Sequence, residues 1–110
     1  MKAHDHGTHV AGTIAAVNNN GKGVCGIAGG NAAKKIPGVR LMSCQIFDGT
    51  KQGSGAEAIK WGADHGAVIS QNSWGYVDLN YTPESLKAAV DYFIKYAGVG
   101  SSGSQTGPMK

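Results

Sequence analysis

Two short apolar runs, residues 40–47 and 67–73, lie between three segments whose apolar residues recur at the helical period. This alternation constrains the fold more than any other feature of the chain. Each run is bounded by Gly or Pro and reads as a buried strand. The clearest helix opens at Thr82, a good N-cap, with Pro83 at the first helical position and Glu84 in the first turn. Leu86, Ala89, Val90, Phe93, Ile94 and Ala97 share one of its faces, and Gly98 is a natural stop. Val90 and Ile94 are expected to be buried, with Lys87, Asp91 and Lys95 in water. A second helix opens at Ser54, where Ser54 and Glu57 spell a capping box. It turns Ala58, Ile59 and Ala63 inward and ends at Gly66. The first helix covers residues 6–17, with Val10, Ile14 and Val17 as its inner stripe.

The order α-β-α-β-α predicts an α/β fold in which crossover helices join parallel strands. Two parallel strands alone leave two open edges, so the chain reads as a middle piece of a larger sheet and is expected to self-associate. Residues 1–98 read as one partial domain, and residues 99–110, rich in Gly and Ser, as a flexible tail.

Composition narrows the function classes. A length of 110 residues holds one ordinary domain at most. The 18 Gly follow no three-residue period and are joined by only 3 Pro, which excludes collagen. No apolar run approaches the roughly 18 residues of a membrane span, so no membrane partner is expected. The N-terminal Met-Lys-Ala-His-Asp-His lacks the apolar stretch of a signal peptide. The formal charge is +3, but only Lys34 and Lys35 are adjacent. With no basic stripe to neutralise phosphates, no nucleic-acid partner is expected either. Cys25 and Cys44 cannot build a disulfide scaffold and leave the redox compartment open.

Chemistry concentrates near the start. His4, His6 and His9 could shuttle protons or bind a metal, and a small metal-binding α/β protein using these three is one reading. Asp5 suits a helix cap. Gly21, Gly23 and Gly26 spell G-x-G-x-x-G, but a dinucleotide site needs a strand before and a helix directly after, and here a helix precedes. Gly53, Ser54 and Gly55 read as a loop and N-cap. Ser73, Trp74 and Gly75 read as a strand end at the carboxyl edge of a sheet, where ligands of open α/β folds bind.

The eight residues His6-Gly-Thr-His-Val-Ala-Gly-Thr13 resemble the histidine motif of the subtilisin-like serine proteases, the subtilases. The similarity continues to about residue 98 and implies a piece of a three-layer α/β/α catalytic domain. It implies His6 as catalytic general base, Gly7 as a small residue admitting the nucleophile, and His9 as structural. By the same resemblance, Gly53, Ser54 and Gly55 and Ser73, Trp74 and Gly75 flank an extended peptide substrate. Glycine permits the close approach, and main-chain groups pair with the substrate as an added strand. The loop 18–24 is similar to one that binds calcium in many members. Calcium wants about six to eight oxygens, and no Asp or Glu lies in this loop; no other cofactor is implied. The family's Asp motif precedes its His motif, and its oxyanion Asn and Ser motifs follow the last helix. None of these, and no Gly-x-Ser-x-Gly elbow, occurs in the chain. The resemblance therefore implies a secreted or extracytoplasmic serine endopeptidase of which only the His is carried here, inactive alone. An inactive peptide-binding module using the two Gly-containing edges is the remaining alternative.

Overall fold

A computed structural model describes residues 5–47, 52–78 and 80–98. It contains three α-helices: α1, Asp5–Ala15; α2, Gly55–Asp64; and α3, Glu84–Tyr96, with a 3-10 helix at Ala32–Lys34. No strand occurs among the described residues, which corrects the expected α/β class, its parallel sheet and the three-layer arrangement. A strand exists through a ladder of hydrogen bonds to a neighbour, and neither 40–47 nor 67–73 has such a ladder among the described residues. Their backbone contacts include isolated bonds: Gly53 N donates to Ile46 O at 2.6 Å, and Gly98 N donates to Ala67 O at 3.1 Å. The second run is not buried either, with Val68 64% and Ile69 78% exposed. The expected flexible tail, 99–110, lies outside the described residues. The chain divides into two compact units, Met1–Ser43 with Phe47–Thr50 and Cys44–Ile46 with Lys51–Lys110.

In the first unit, α1 begins one residue earlier than expected and ends two earlier, at Ala15. Two Gly and two Thr in eleven residues make it a poor helix by propensity, and it buries no side chain. Val10 and Ile14 are half-buried, whereas Val17 is exposed. Its support comes from the loop that follows. Ile27 N, Ala28 N and Gly26 N donate to Thr13 O, Ile14 O and Ala16 O at 2.9, 2.8 and 3.0 Å. These bonds satisfy carbonyls that a helix C-terminus otherwise leaves without partners. The approach is so close that a Cβ on Gly29 would stand 1.8 Å from Ala16 O. Asn18 ties the loop: its Nδ2 donates to Gly26 O and its Oδ1 accepts from Gly26 N, both at 2.9 Å. Asn31 and Ile36 close an antiparallel bridge around the 3-10 helix.

In the second unit, α2 and α3 pack through Ile59 and Ala63 on one side and Ala89, Phe93 and Ala97 on the other. Ala89 and Phe93 are four residues apart on one face of α3, and Ala97, the residue that caps its end, completes the cluster. Phe93 is 1% exposed, while Ile94, one position round the helix, is 40% exposed. The expected burial of Ile94 is thus corrected: the face is centred on Phe93, Val90 is half-buried, and Lys87, Asp91 and Lys95 are exposed. On α2 the buried residues are Ile59, Gly62 and Ala63, with Ala58 half-buried. Ser54 caps α2 as expected, its Oγ accepting from Glu57 N at 3.1 Å. The cap of α3 falls on Pro83 rather than Thr82, and the Pro83 carbonyl accepts from Leu86 N and Lys87 N. Beyond Ala97 the chain turns at Gly98, whose φ of +70° suits glycine.

A polar clasp joins the two helices. Lys60 Nζ donates to Asp64 Oδ2 at 2.6 Å, and the Tyr92 hydroxyl donates to Asp64 Oδ1 at 2.5 Å. The Lys60 and Tyr92 bonds hold the Asp64 carboxyl below its ordinary range. Asp64 in turn raises both the Lys60 ammonium and the Tyr92 hydroxyl.

Candidate functional site

His6 occupies the first turn of α1, where it is exposed, and its backbone N–H donates to Asp5 Oδ1 at 3.0 Å. Asp5 also places negative charge at the positive end of the helix dipole. His9 lies one turn on, also exposed, and its carbonyl accepts from Thr13 Oγ1 at 3.0 Å. His4, the third member of the metal alternative, lies outside the described residues. Among the described residues no three His, Cys, Asp or Glu side chains gather as a metal site would need.

The loop 18–24 is the one that the resemblance links to calcium. Asn18 Oδ1 and Asn20 Oδ1 accept from Gly26 N and Lys22 N. No carboxylate is available in the loop to offset the charge of a hard cation. The G-x-G-x-x-G stretch is likewise committed to the fold, since Gly26 N points to Ala16 O and Asn18 Oδ1 rather than outward to a phosphate. Cys25 and Cys44 are free thiols and exposed.

The other six expected site residues stand in the second unit, and the fold brings them together. Trp74 lies over the start of α2, so that a Cβ on Gly55 would be 2.8 Å from Trp74 Cη2 and 2.9 Å from Cζ2. A side chain at position 55 would have to displace the indole from there. Gly53 and Ser54 run into this contact, the Ser54 hydroxyl serving as the helix cap. Ser73 Oγ accepts from Gln71 Nε2 at 2.6 Å. The backbone groups of Ser73 and Gly75 make no hydrogen bond to another described residue. Chemically, residues 73–75 offer main-chain donors and acceptors beside an indole, an arrangement suited to an extended peptide.

Two aromatic residues absent from the expected set extend this edge. The Tyr76 ring meets Trp74 edge-on at 6.1 Å between centroids, and the Tyr81 ring meets Tyr76 edge-on at 5.0 Å. The sequence signal was present in Asp78 and Asn80: Asn80 N donates to Asp78 Oδ1 at 3.0 Å and Tyr81 N to Asp78 O at 3.2 Å. This Asx turn folds Tyr81 back on Tyr76.

Comparison with known proteins bears on what such a chain is. Over residues 1–105 the sequence matches the model of the Subtilase family. It is 39% identical over 103 residues to fervidolysin of Fervidobacterium pennivorans, covering 86% of this chain and 13% of that protein. It is 35% identical over 116 residues to a thermophilic serine proteinase of Bacillus sp. (strain AK1), covering 96% of this chain and 26% of the relative. Over 43 residues it is 60% identical to an extracellular basic protease of Dichelobacter nodosus, covering 39% of this chain and 7% of that protein. No solved structure matches. The chain thus spans about an eighth to a quarter of the first two relatives it matches. With a family match along almost its whole length, including the run from His6 to Thr13, the chain belongs to the subtilase family.

Proposed function

We propose that this chain supplies the general-base histidine and the substrate edge of a secreted serine endopeptidase, with a peptide or protein as substrate. The observation that carries the reading is the eight-residue run from His6 to Thr13, lying at the start of α1 inside a family match over residues 1–105. In the complete site a serine hydroxyl attacks the peptide carbonyl, the His6 imidazole takes its proton, and the imidazolium then protonates the leaving amine. Peptide main chain pairs along residues 53–55 and 73–75, holding the scissile bond in place. That pairing uses protein groups alone, and the reaction calls for no cofactor. Secretion is supported by the relative named an extracellular basic protease. No described helix is long and apolar enough to cross a membrane.

The 110 residues hold neither the Asp nor the Ser motif of the family, so the chain alone is proposed to be inactive. Without its nucleophile a triad keeps at best roughly 10³–10⁴-fold acceleration, and that remainder depends on an oxyanion hole. A fluorogenic peptide incubated with the pure chain tests this: no hydrolysis sensitive to a serine-directed inhibitor is expected. Inhibitor-sensitive turnover from protein free of other proteases would overturn it. The exposed Val68, Ile69 and Val77 further support self-association of the isolated chain, which sedimentation at micromolar concentration would detect as a dimer or larger species and a monomer would refute.

A further inference from the structure

Asparagine followed directly by glycine occurs once in the chain, at Asn20 and Gly21. We propose that Asn20 is a self-modification site, where the Gly21 backbone nitrogen attacks the Asn20 side-chain amide and the folded chain acquires aspartate and isoaspartate. Water is the only co-reactant. In the first step the bond from Gly21 N to Asn20 Cγ forms and the bond from Cγ to Nδ2 breaks. Ammonia leaves with the proton that Gly21 N gives up, and a five-membered succinimide ring remains. Water then adds to one of the two ring carbonyls, its proton returning to the nitrogen as the ring opens. Opening at Cγ gives aspartate. Opening at the main-chain carbonyl gives isoaspartate, whose backbone runs through Cγ and is longer by one carbon.

The loop presents every group this step needs. Gly21 N, the nucleophile, makes no hydrogen bond to another described residue. A Cβ built on Gly21 would meet nothing within 4 Å, and residues 19–25 are all exposed, so the ring has room to close and water has access. Lys22 N donates to Asn20 Oδ1 at 3.0 Å. That oxygen gathers negative charge as the nitrogen adds, and a donor already in place lowers the barrier. The other asparagines lack this combination. The nitrogen after Asn31 is that of Ala32, which donates to Asn18 O, and the nitrogen after Asn80 is that of Tyr81, which donates to Asp78 O. Asn18, Asn19 and Asn72 precede Asn or Ser, whose Cβ crowds the attacking atom as glycine does not. The fold also tolerates the products. The two bonds between Asn18 and Gly26 close the base of the loop, and the donors that support α1 come from residues 26–28, outside the segment that lengthens. The new carboxyl is ionised at neutral pH, since aspartate titrates near about 3.9.

The test incubates the 110-residue chain at about pH 8, where base removes the amide proton more readily, in buffer and in concentrated urea. Samples taken over time are digested and mapped by mass spectrometry, with fragmentation that separates isoaspartate from aspartate. In buffer, Asn20 is expected to convert at least about tenfold faster than any other asparagine, to give both products, and to leave the Tm unchanged. Gly21→Ala should slow conversion at residue 20 by about tenfold, because the φ of +71° at this position suits glycine. Asn20→Gln, which leaves the backbone as it is, should remove the early mass gain from the loop. Earlier conversion at another asparagine would overturn the proposal. So would a folded chain whose Asn20 outlasts that of the urea-unfolded chain by more than about tenfold, since the fold would then protect the site. Aspartate without isoaspartate at residue 20 would show direct hydrolysis by water and overturn the attack by Gly21 N.

Discussion

Phe93→Ala is the substitution that most searches the packing of α2 against α3. Among the described residues Phe93 is the one large side chain that is almost wholly enclosed, at 1% exposure, and it clusters with Ile59, Ala63, Ala89 and Ala97. An aromatic residue buries roughly 150–250 Å². At about 25 cal/mol per Å² the whole residue is worth about 4–6 kcal/mol, and since alanine keeps the Cβ the loss falls in the range of about 3–5 kcal/mol found for such truncations. Three of the clustered neighbours, Ala63, Ala89 and Ala97, have no rotamers with which to close the hole. A chain of 110 residues has a total stability of about 5–15 kcal/mol, so one substitution should cancel a large part of it. Ile94→Ala on the same helix removes three carbons worth about 0.8 kcal/mol each. Scaled to the buried share of a side chain 40% exposed, the loss is about 1.5 kcal/mol. Urea unfolding followed by circular dichroism and tyrosine fluorescence, compared at constant m, reads both. A Phe93→Ala variant within about 1 kcal/mol of the parent, or an Ile94→Ala loss exceeding that of Phe93→Ala, would refute the packing described here.

Other expectations follow from the loop and the clasp. Gly29→Ala drives a methyl group against Ala16 O, so about 2–4 kcal/mol should be lost and the Ile27 and Ala28 amides should lose hydrogen-exchange protection. Gly7→Ala, with nothing within 4 Å of its Cβ, should be neutral or gain about 0.5–1 kcal/mol of helix stability. Asn18→Ala removes both bonds to Gly26 and should cost about 1–3 kcal/mol, while calcium or a chelator leaves the parent's Tm unmoved; a calcium-dependent Tm would show that the loop holds the ion. For the clasp, Asp64 lies below its ordinary value of 3.8 in the fold, so its contribution is present above 3.8 and is lost as acid protonates it. Tyr92 and Lys60 lie above their ordinary 10.0 and 10.5, so their contribution is present below those values and is lost as alkali removes their protons. Asp64→Asn should flatten both limbs of the Tm-against-pH profile, and a profile parallel to the parent's would contradict the clasp.

The helices were legible because their signals are local. The 3.6-residue spacing, Ser54 before α2 and Gly98 after α3 each act within a few residues of themselves. The rotation of α3 was read one position off, since Phe93 and Ile94 are both apolar and only the partner helix decides between them. The strands failed for the opposite reason. An apolar run such as 67–73 shows a preference for burial, but a ladder requires a neighbour that the run itself does not encode. The helix α1 depends on donors from residues 26–28, which no periodicity within 5–15 could reveal. At the candidate site, His6 stood out through the resemblance carried by its neighbours and not through any special chemistry of a lone histidine. Tyr76 and Tyr81 escaped notice because the turn at Asp78, and not their spacing, brings their rings together.

A graft tests whether His6 is the proton-transferring residue of a subtilase site. The chain replaces the stretch that it matches in the thermophilic serine proteinase of Bacillus sp. (strain AK1), which leaves the remainder of that proteinase in place. Hydrolysis of a peptide substrate is then compared between the graft and its His6→Ala variant. A folded, inhibitor-sensitive graft is expected, with a kcat that falls by about 10⁴-fold or more in the variant. A folded graft with no activity, or a variant as active as its parent, would contradict it.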